Sequence, residues 1–139
     1  MEKILTNSAE ETLNYAFNYA LNLSNGVVIE LIGDLGAGKT VFAKGFAKGL
    51  GIEQAITSPT FSLLNTYNGR LKLNHFDLYR IEDLEEIYML GFEEQFLDEN
   101  AINLIEWPQI AYDLLPKNRV RITISKVNDN QREIKVENL

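Results

Sequence analysis

The stretch VVIELIGDLGAGKT, Val27 to Thr40, runs from an apolar segment rich in branched side chains into a turn carrying Gly33, Gly36 and Gly38, and ends on a lysine and a threonine. The apolar run predicts a strand buried on both faces. The following TVFAKGFAKGLG has helical spacing, with Val41, Phe42, Phe46 and Leu50 inward and Gly51 as a stop. A glycine-rich turn costs backbone entropy, so its place between a buried strand and a helix implies close approach of something to the main chain. Gly33, Gly38, Lys39 and Thr40 match G-x-x-x-x-G-K-[ST], the spacing of a phosphate loop. At average composition that match arises by chance in about one chain in a few hundred of this length.

The residue types follow from the chemistry. Bare glycines let successive amides of Gly33, Asp34, Leu35, Gly36, Ala37, Gly38, Lys39, Thr40 and Val41 curl around phosphate oxygens, and the helix beginning there turns its positive pole on them. Lys39 is placed to bridge the outer phosphates, and the Thr40 hydroxyl to face Mg²⁺, which needs few protein ligands.

Outward from this unit, SAEETLNYAFNYAL predicts a helix opened by Ser8 and Glu11, spaced as a capping box, with Leu13, Ala16, Phe17, Ala20 and Leu21 on one face and Gly26 ending it. Asn68 and Gly69 sit between two strand-like runs and predict a hairpin. Ile81 to Asn100 reads as two short helices broken near Gly91, NLIEW as a strand ending in a carboxylate, and Pro108 as the first turn of a helix through Leu115. RVRITIS and REIKVENL alternate as edge-like strands joined by a closing turn. One buried strand-helix unit among several hairpins predicts an α/β fold of three layers, P-loop NTPase-like, with a mixed central sheet flanked by helices.

The 139 residues, 45% hydrophobic with 10% aromatic, suit one globular domain spanning 1–139. Thirteen basic against twenty acidic residues give a formal charge of -7, which argues against an overall attraction to nucleic acid or an anionic membrane. The absence of cysteine removes disulfides, thiolate metal sites and thiol nucleophiles together. MEKILTNSAEET lacks the apolar core of a signal peptide and no segment reaches membrane-spanning length, so a cytoplasmic location is expected.

A nucleoside triphosphate site needs a carboxylate near its metal, at the end of a neighbouring strand. Glu106 ends one apolar run, and Asp77 shares a strand face with Leu71, Leu73 and His75 that turns from apolar to polar. His75, the one histidine, reads as a hydrogen-bonded structural residue, Trp107 as core beneath the site, and Arg80 either as a contact to the terminal phosphate or a partner's carboxylate or as a surface arginine. Thr57, Ser58 and Thr60 around Pro59 make a restricted polar turn suited to holding a water or sensing a terminal phosphate.

GDLGAGKT, TSPTF, HFDLYR and LIEWP, in this order, resemble the bacterial TsaE family, also called YjeE, and the likeness runs through almost the whole chain. The resemblance implies a small ATPase that works with TsaB and TsaD to place threonylcarbamoyl on the adenosine beside the anticodon of tRNAs, meeting tRNA only indirectly through that complex. Carried over, it makes Lys39 the phosphate contact, Thr40 and Glu106 magnesium-side groups, Asp77 the acid of the HFDLYR stretch with a metal or catalytic duty, and Thr57 to Thr60 a switch-like loop. It sets the adenine near Thr6 and the turn at Lys126. The implied cofactors are ATP and Mg²⁺; self-association is left open. Two other readings share the phosphate loop: a small-molecule kinase, suggested by DLYR, and a docking module that binds ATP without hydrolysing it. Arg119, Arg121 and Arg132 fall in strand-like patterns rather than in a kinase-type lid.

Overall fold

In the computed structural model, which describes residues 1–139, the strands are β1 (Glu2–Thr6), β2 (Val27–Ile32), β3 (Leu64–Asn68), β4 (Lys72–Asp77), β5 (Ala101–Glu106), β6 (Val120–Lys126) and β7 (Arg132–Asn138). They form one sheet in the order β1-β7-β6-β2-β5-β4-β3. β2 pairs in parallel with both β5 and β6, and β5 pairs in parallel with β4. The margins are antiparallel, β6 to β7 to β1 on one side and β4 to β3 on the other. The edge-like expectation for the C-terminal pair is therefore corrected. β6 and β7 are internal, their alternation arising because each has one face on the core, and the edges are β1 and β3.

The helices are α1 (Ala9–Leu21), α2 (Lys39–Gly49), α3 (Leu84–Leu90) and α4 (Phe92–Phe96), with a 3-10 helix at Pro108–Leu114. Strand periodicity sorts the core into two layers. Ile29, Leu31, Leu73, Ile102, Leu104 and Ile122 face Phe42 and Phe46 of α2 and Ala16 and Ala20 of α1. Val28, Phe76 and Ile105 face Ile87, Phe92, Phe96 and Ala111 on the other side. The α/β, P-loop-like three-layer expectation holds.

Details of the elements differ in instructive ways. Ser8 Oγ accepts from the Glu11 amide at 3.1 Å, but the Glu11 carboxylate reaches back to the Asn7 amide at 3.0 Å, one residue before the cap. α1 stops at Leu21, not at Gly26, and Leu21 is exposed. Its last carbonyls are met from far away in sequence: Arg70, in the β3–β4 connection, donates to Ala20 O at 2.9 Å, Leu23 O at 2.5 Å and Gly49 O at 3.2 Å, satisfying the C-terminal ends of α1 and α2 with one guanidinium. The β3–β4 hairpin forms, with Asn68 paired to Lys72 across it. The segment after Pro108 is a 3-10 helix that starts behind Trp107 in a left-handed conformation (φ 53°) and has no side-chain cap. On the α3 and α4 face, fully buried Glu30 is bonded by Arg119 and, at 2.8 Å, by Arg121, which removes the cost of its isolated charge. No helix is long and apolar enough to cross a membrane.

Candidate active site

The parallel strands β2, β5 and β4 end together, and their next residues rim a cleft at the N-terminus of α2. Gly36 and Gly38 have φ values of 80° and 108°, which lets the loop after β2 bend back and start α2 without a side-chain cap. The first-turn amides of α2 therefore have no side-chain acceptor of their own, as an anion site requires.

A cavity of ≈ 370 Å³ opens at this point. Its lining draws on Leu35, Gly36, Gly38, Lys39, Thr40 and Val41 from the loop, Ser58 and Thr60 from the TSPTF turn, Asp77 and Glu106 from the strand ends, and Trp107 and Arg132. Four motifs separated in sequence thus meet in one space. Within it, buried Glu106 lies between two nitrogens: His75 Nε2 at 2.7 Å from Oε2, and Lys39 Nζ at 3.6 Å from Oε1. His75 Nε2 is the donor to the carboxylate, and Nδ1 is buried without a partner. Asp77 accepts from Thr60 Oγ1 at 3.1 Å and from the Tyr79 amide at 3.0 Å, so both of its oxygens are engaged. Ser58 Oγ lies 2.7 Å from Thr60 Oγ1, which ties the polar turn to Asp77 in two steps.

Other residues singled out in the sequence lie elsewhere. Gly33, Asp34 and Ala37 face a second cavity of ≈ 540 Å³ on the other side of the loop, together with Lys126 and again Lys39 and Trp107. Thr57 is turned away, its amide held by the Tyr67 hydroxyl and its carbonyl by Asn65. Thr6 is buried with its hydroxyl 2.7 Å from that of Thr12. Lys126 lines the second cavity, and Thr6 lines neither that one nor the phosphate-loop cavity. A third space, ≈ 250 Å³, opens between their neighbours instead, Asn7, Ser8 and Thr12 on one wall and Asp129 and Asn130 on the other, and it shares Gly38, Val41 and Arg132 with the phosphate-loop cavity. Trp107 is not core: it is half-buried, lines both cavities flanking the loop and carries Lys39 Nζ 4.4 Å from its ring centroid. Arg80 is exposed and stacks at 5.2 Å on the exposed ring of Phe61. Arg132 was not foreseen in the site, because only the return of β7 beside β6 brings residue 132 to the loop, and no local spacing signals it.

No cluster of three or more acidic, histidine or cysteine side chains is present that could hold a metal unaided. The exposed Thr40 hydroxyl with Asp77 and Glu106 across the cavity suits a cation that keeps most of its ligands as water and phosphate oxygen, the habit of Mg²⁺.

Comparison with known proteins shows which family the chain belongs to. The family model described as "Threonylcarbamoyl adenosine biosynthesis protein TsaE" matches residues 6–134. The tRNA threonylcarbamoyladenosine biosynthesis protein TsaE of Bacillus subtilis (strain 168) is 45% identical over 130 residues, 93% of this chain and 80% of that protein. The protein of the same description from Treponema pallidum (strain Nichols) is 40% identical over 96% of this chain and 98% of its own. A crystal structure of Bacillus subtilis YdiB superimposes with a TM-score of 0.80 at 39% identity, covering 96% of this chain and 82% of that one. With a family model spanning nearly its full length and relatives this similar over most of theirs, the chain belongs to the TsaE family of threonylcarbamoyl adenosine biosynthesis proteins.

Proposed function

We propose that residues 1–139 form one cytoplasmic ATPase domain that binds Mg·ATP in the phosphate-loop cavity and hydrolyses it to ADP and phosphate, in support of threonylcarbamoyladenosine formation on tRNA. The observation that carries this reading is the meeting of the loop from Gly36 to Val41, the Ser58 and Thr60 hydroxyls and the Asp77 and Glu106 carboxylates around one cavity at the start of α2.

In this reading the loop amides and Lys39 hold the β- and γ-phosphates, and Thr40, Asp77 and Glu106 are the residues that would hold the metal. When bound, Mg²⁺ neutralises charge on the phosphate oxygens. Lys39 leaves Glu106 to reach the phosphates, which frees Oε1 of Glu106 while His75 still holds Oε2. Glu106 is then able to take a proton from the water that attacks the γ-phosphorus, with ADP as the leaving group. The nucleoside lies in the neighbouring space between Ser8 and Asp129, which shares Gly38, Val41 and Arg132 with the loop cavity as lining.

The step served is a conformational or turnover step of a TsaB and TsaD complex. The net charge of -7 suits a protein that docks on proteins and meets tRNA only through them. Phosphoryl transfer depends on positioning, so slow hydrolysis by the isolated chain and acceleration by its partners are expected. Release of free phosphate from labelled ATP, measured alone and with TsaB and TsaD, tests this. A rate that the complete assembly leaves unchanged counts against it, and label transferred to an organic acceptor would mean a kinase.

A further inference from the structure

Arg132 opens β7 directly behind the turn at residues 127–131, and its guanidinium is surrounded by carbonyls. Nε donates to Ala37 O at 2.9 Å and Nη2 to Gly36 O at 3.4 Å, while Nη1 donates to Asn128 O at 2.8 Å and Gln131 O at 3.0 Å. Although the chain has twenty acidic residues, none forms an ion pair with Arg132. It lines both the phosphate-loop cavity and the adjoining cavity beside Ser8.

In a trans peptide the C=O and N–H groups point to opposite edges of the plane, and this chain has no cis bond. Holding Gly36 O and Ala37 O therefore fixes the Ala37 and Gly38 amides on the edge away from Arg132. The first closes the loop on Asp34 O at 3.0 Å. The turn that anchors the other side of the guanidinium is itself stiff: Asn128 Oδ1 accepts from the Asn130 and Gln131 amides at 3.0 and 2.9 Å, and Gln131 Nε2 reaches Asn7 Oδ1 at 2.8 Å. Arg132 thus ties the phosphate loop to a braced turn that also touches the start of α1.

We propose that Arg132 is a positioning residue for the nucleotide: it grips the carbonyl edge of the phosphate loop so that, with the Ala37 amide closing the loop on Asp34, the Gly38 amide is preset for phosphate, and it leaves its own charge without an acidic partner in the wall that both cavities share. This rests on the ATP-binding reading above. A guanidinium can reach the loop and the turn at once through its planar fork, whereas a lysine ammonium supplies charge without that span.

The test is calorimetric titration of the full chain and its Arg132→Gln and Arg132→Lys variants with Mg·ATP and Mg·ADP, together with steady-state phosphate release. Arg132→Gln is expected to weaken binding of both nucleotides about tenfold or more, with kcat at saturating ATP changed less than about threefold. Arg132→Lys is expected to recover only part of the affinity, and amide exchange in the nucleotide-free variant to quicken at residues 36–39 but not in α1. If Arg132→Gln does not fold, the Arg132→Lys affinity and exchange data decide alone. Wild-type affinity in Arg132→Lys, or in a folded Arg132→Gln, overturns the proposal while wild-type binding upholds the ATP reading. Wild-type protein that binds neither nucleotide overturns both.

Discussion

Asp77 and Glu106 are register partners on the parallel strands β4 and β5, side by side where both strands end on the face that carries α2. They are not equivalent. Both oxygens of Asp77 already accept hydrogen bonds from the protein, whereas Oε1 of Glu106 has only the Lys39 ammonium at 3.6 Å. The carboxylate that becomes free when Lys39 turns to phosphate is Glu106.

Glu106→Gln keeps the size of the side chain and an oxygen for His75 but removes the proton acceptor. Its turnover of ATP is expected to fall by about 10²-fold, the usual scale for losing a general base, while its affinity for Mg·ATP changes much less. Asp77→Asn puts an NH₂ donor against either the Thr60 hydroxyl or the Tyr79 amide and so loosens the polar turn as well as the site. Phosphate release at saturating ATP, set beside calorimetry, separates the two. Equal turnover in Glu106→Gln and wild type would remove Glu106 from the chemistry.

Lys39 provides a second readout. Its ammonium lies 4.4 Å from the ring centroid of Trp107, the one tryptophan in the chain, and must leave that position to meet phosphate. Nucleotide binding is therefore expected to change tryptophan emission. In Lys39→Ala the emission of the nucleotide-free protein already differs from wild type, and Mg·ATP binds at least about tenfold more weakly, as the loss of a charge-assisted contact to phosphate predicts. Emission that is insensitive to nucleotide in a wild-type protein shown to bind it would mean that Lys39 stays on Trp107.

How far these relationships were legible beforehand depends on the range of the interactions behind them. The strand, turn and helix around Gly33 to Thr40 rest on local periodicity and glycine chemistry, and they stand in the structure as read. Glu106 was legible because it ends an apolar run, and Asp77 because it follows Leu71, Leu73 and His75 on one strand face that turns from apolar to polar; both patterns deliver a side chain to the rim of a sheet. Arg70 and Arg132 were not, since their partners lie 47 and 95 residues away and are backbone carbonyls, which leave no mark on sequence. β6 and β7 were misplaced at the edge for a related reason: alternation reports one solvated face, not the number of neighbouring strands. Trp107 was assigned to the core by its size, and its left-handed backbone, which turns it to the cavity, has no signature in composition.

Tyr15 and Tyr19 of α1 give a pH dependence. Burial first, then the hydrogen bond from the Tyr15 hydroxyl to Glu2 at 2.9 Å and the Glu2 charge, push the Tyr15 phenol up; burial and the same charge push Tyr19 up. Because the folded values lie above the unfolded value of about 10, their contribution to stability is present in full below that pH. It is lost as pH rises from about 10 toward the folded values. Urea denaturation at pH 9 and pH 11 is expected to show a smaller alkaline loss in Tyr15→Phe than in wild type. Equal losses would locate the alkaline sensitivity elsewhere.

The position of Lys39 and Thr40 depends finally on how closely α2 lies against α1. Gly45 and Gly49, one turn apart on α2, face α1 with no room for a side chain: a Cβ would stand 2.1 Å from Leu13 O at the first and 2.3 Å from Phe17 O at the second. Those carbonyls are backbone and cannot yield without separating the helices. Each alanine substitution is a gain in intrinsic helix propensity of about 1 kcal/mol, so an isolated helix would be stabilised. In the folded protein the steric term is expected to dominate, with a net loss of about 1–3 kcal/mol or more for Gly45→Ala in denaturant melts, since overpacking here moves a whole helix. Because α2 starts at the phosphate loop, the same displacement is expected to weaken Mg·ATP binding in whatever fraction remains folded. A Gly45→Ala variant as stable as wild type and with its nucleotide affinity would show that α1 and α2 can separate without disturbing the site.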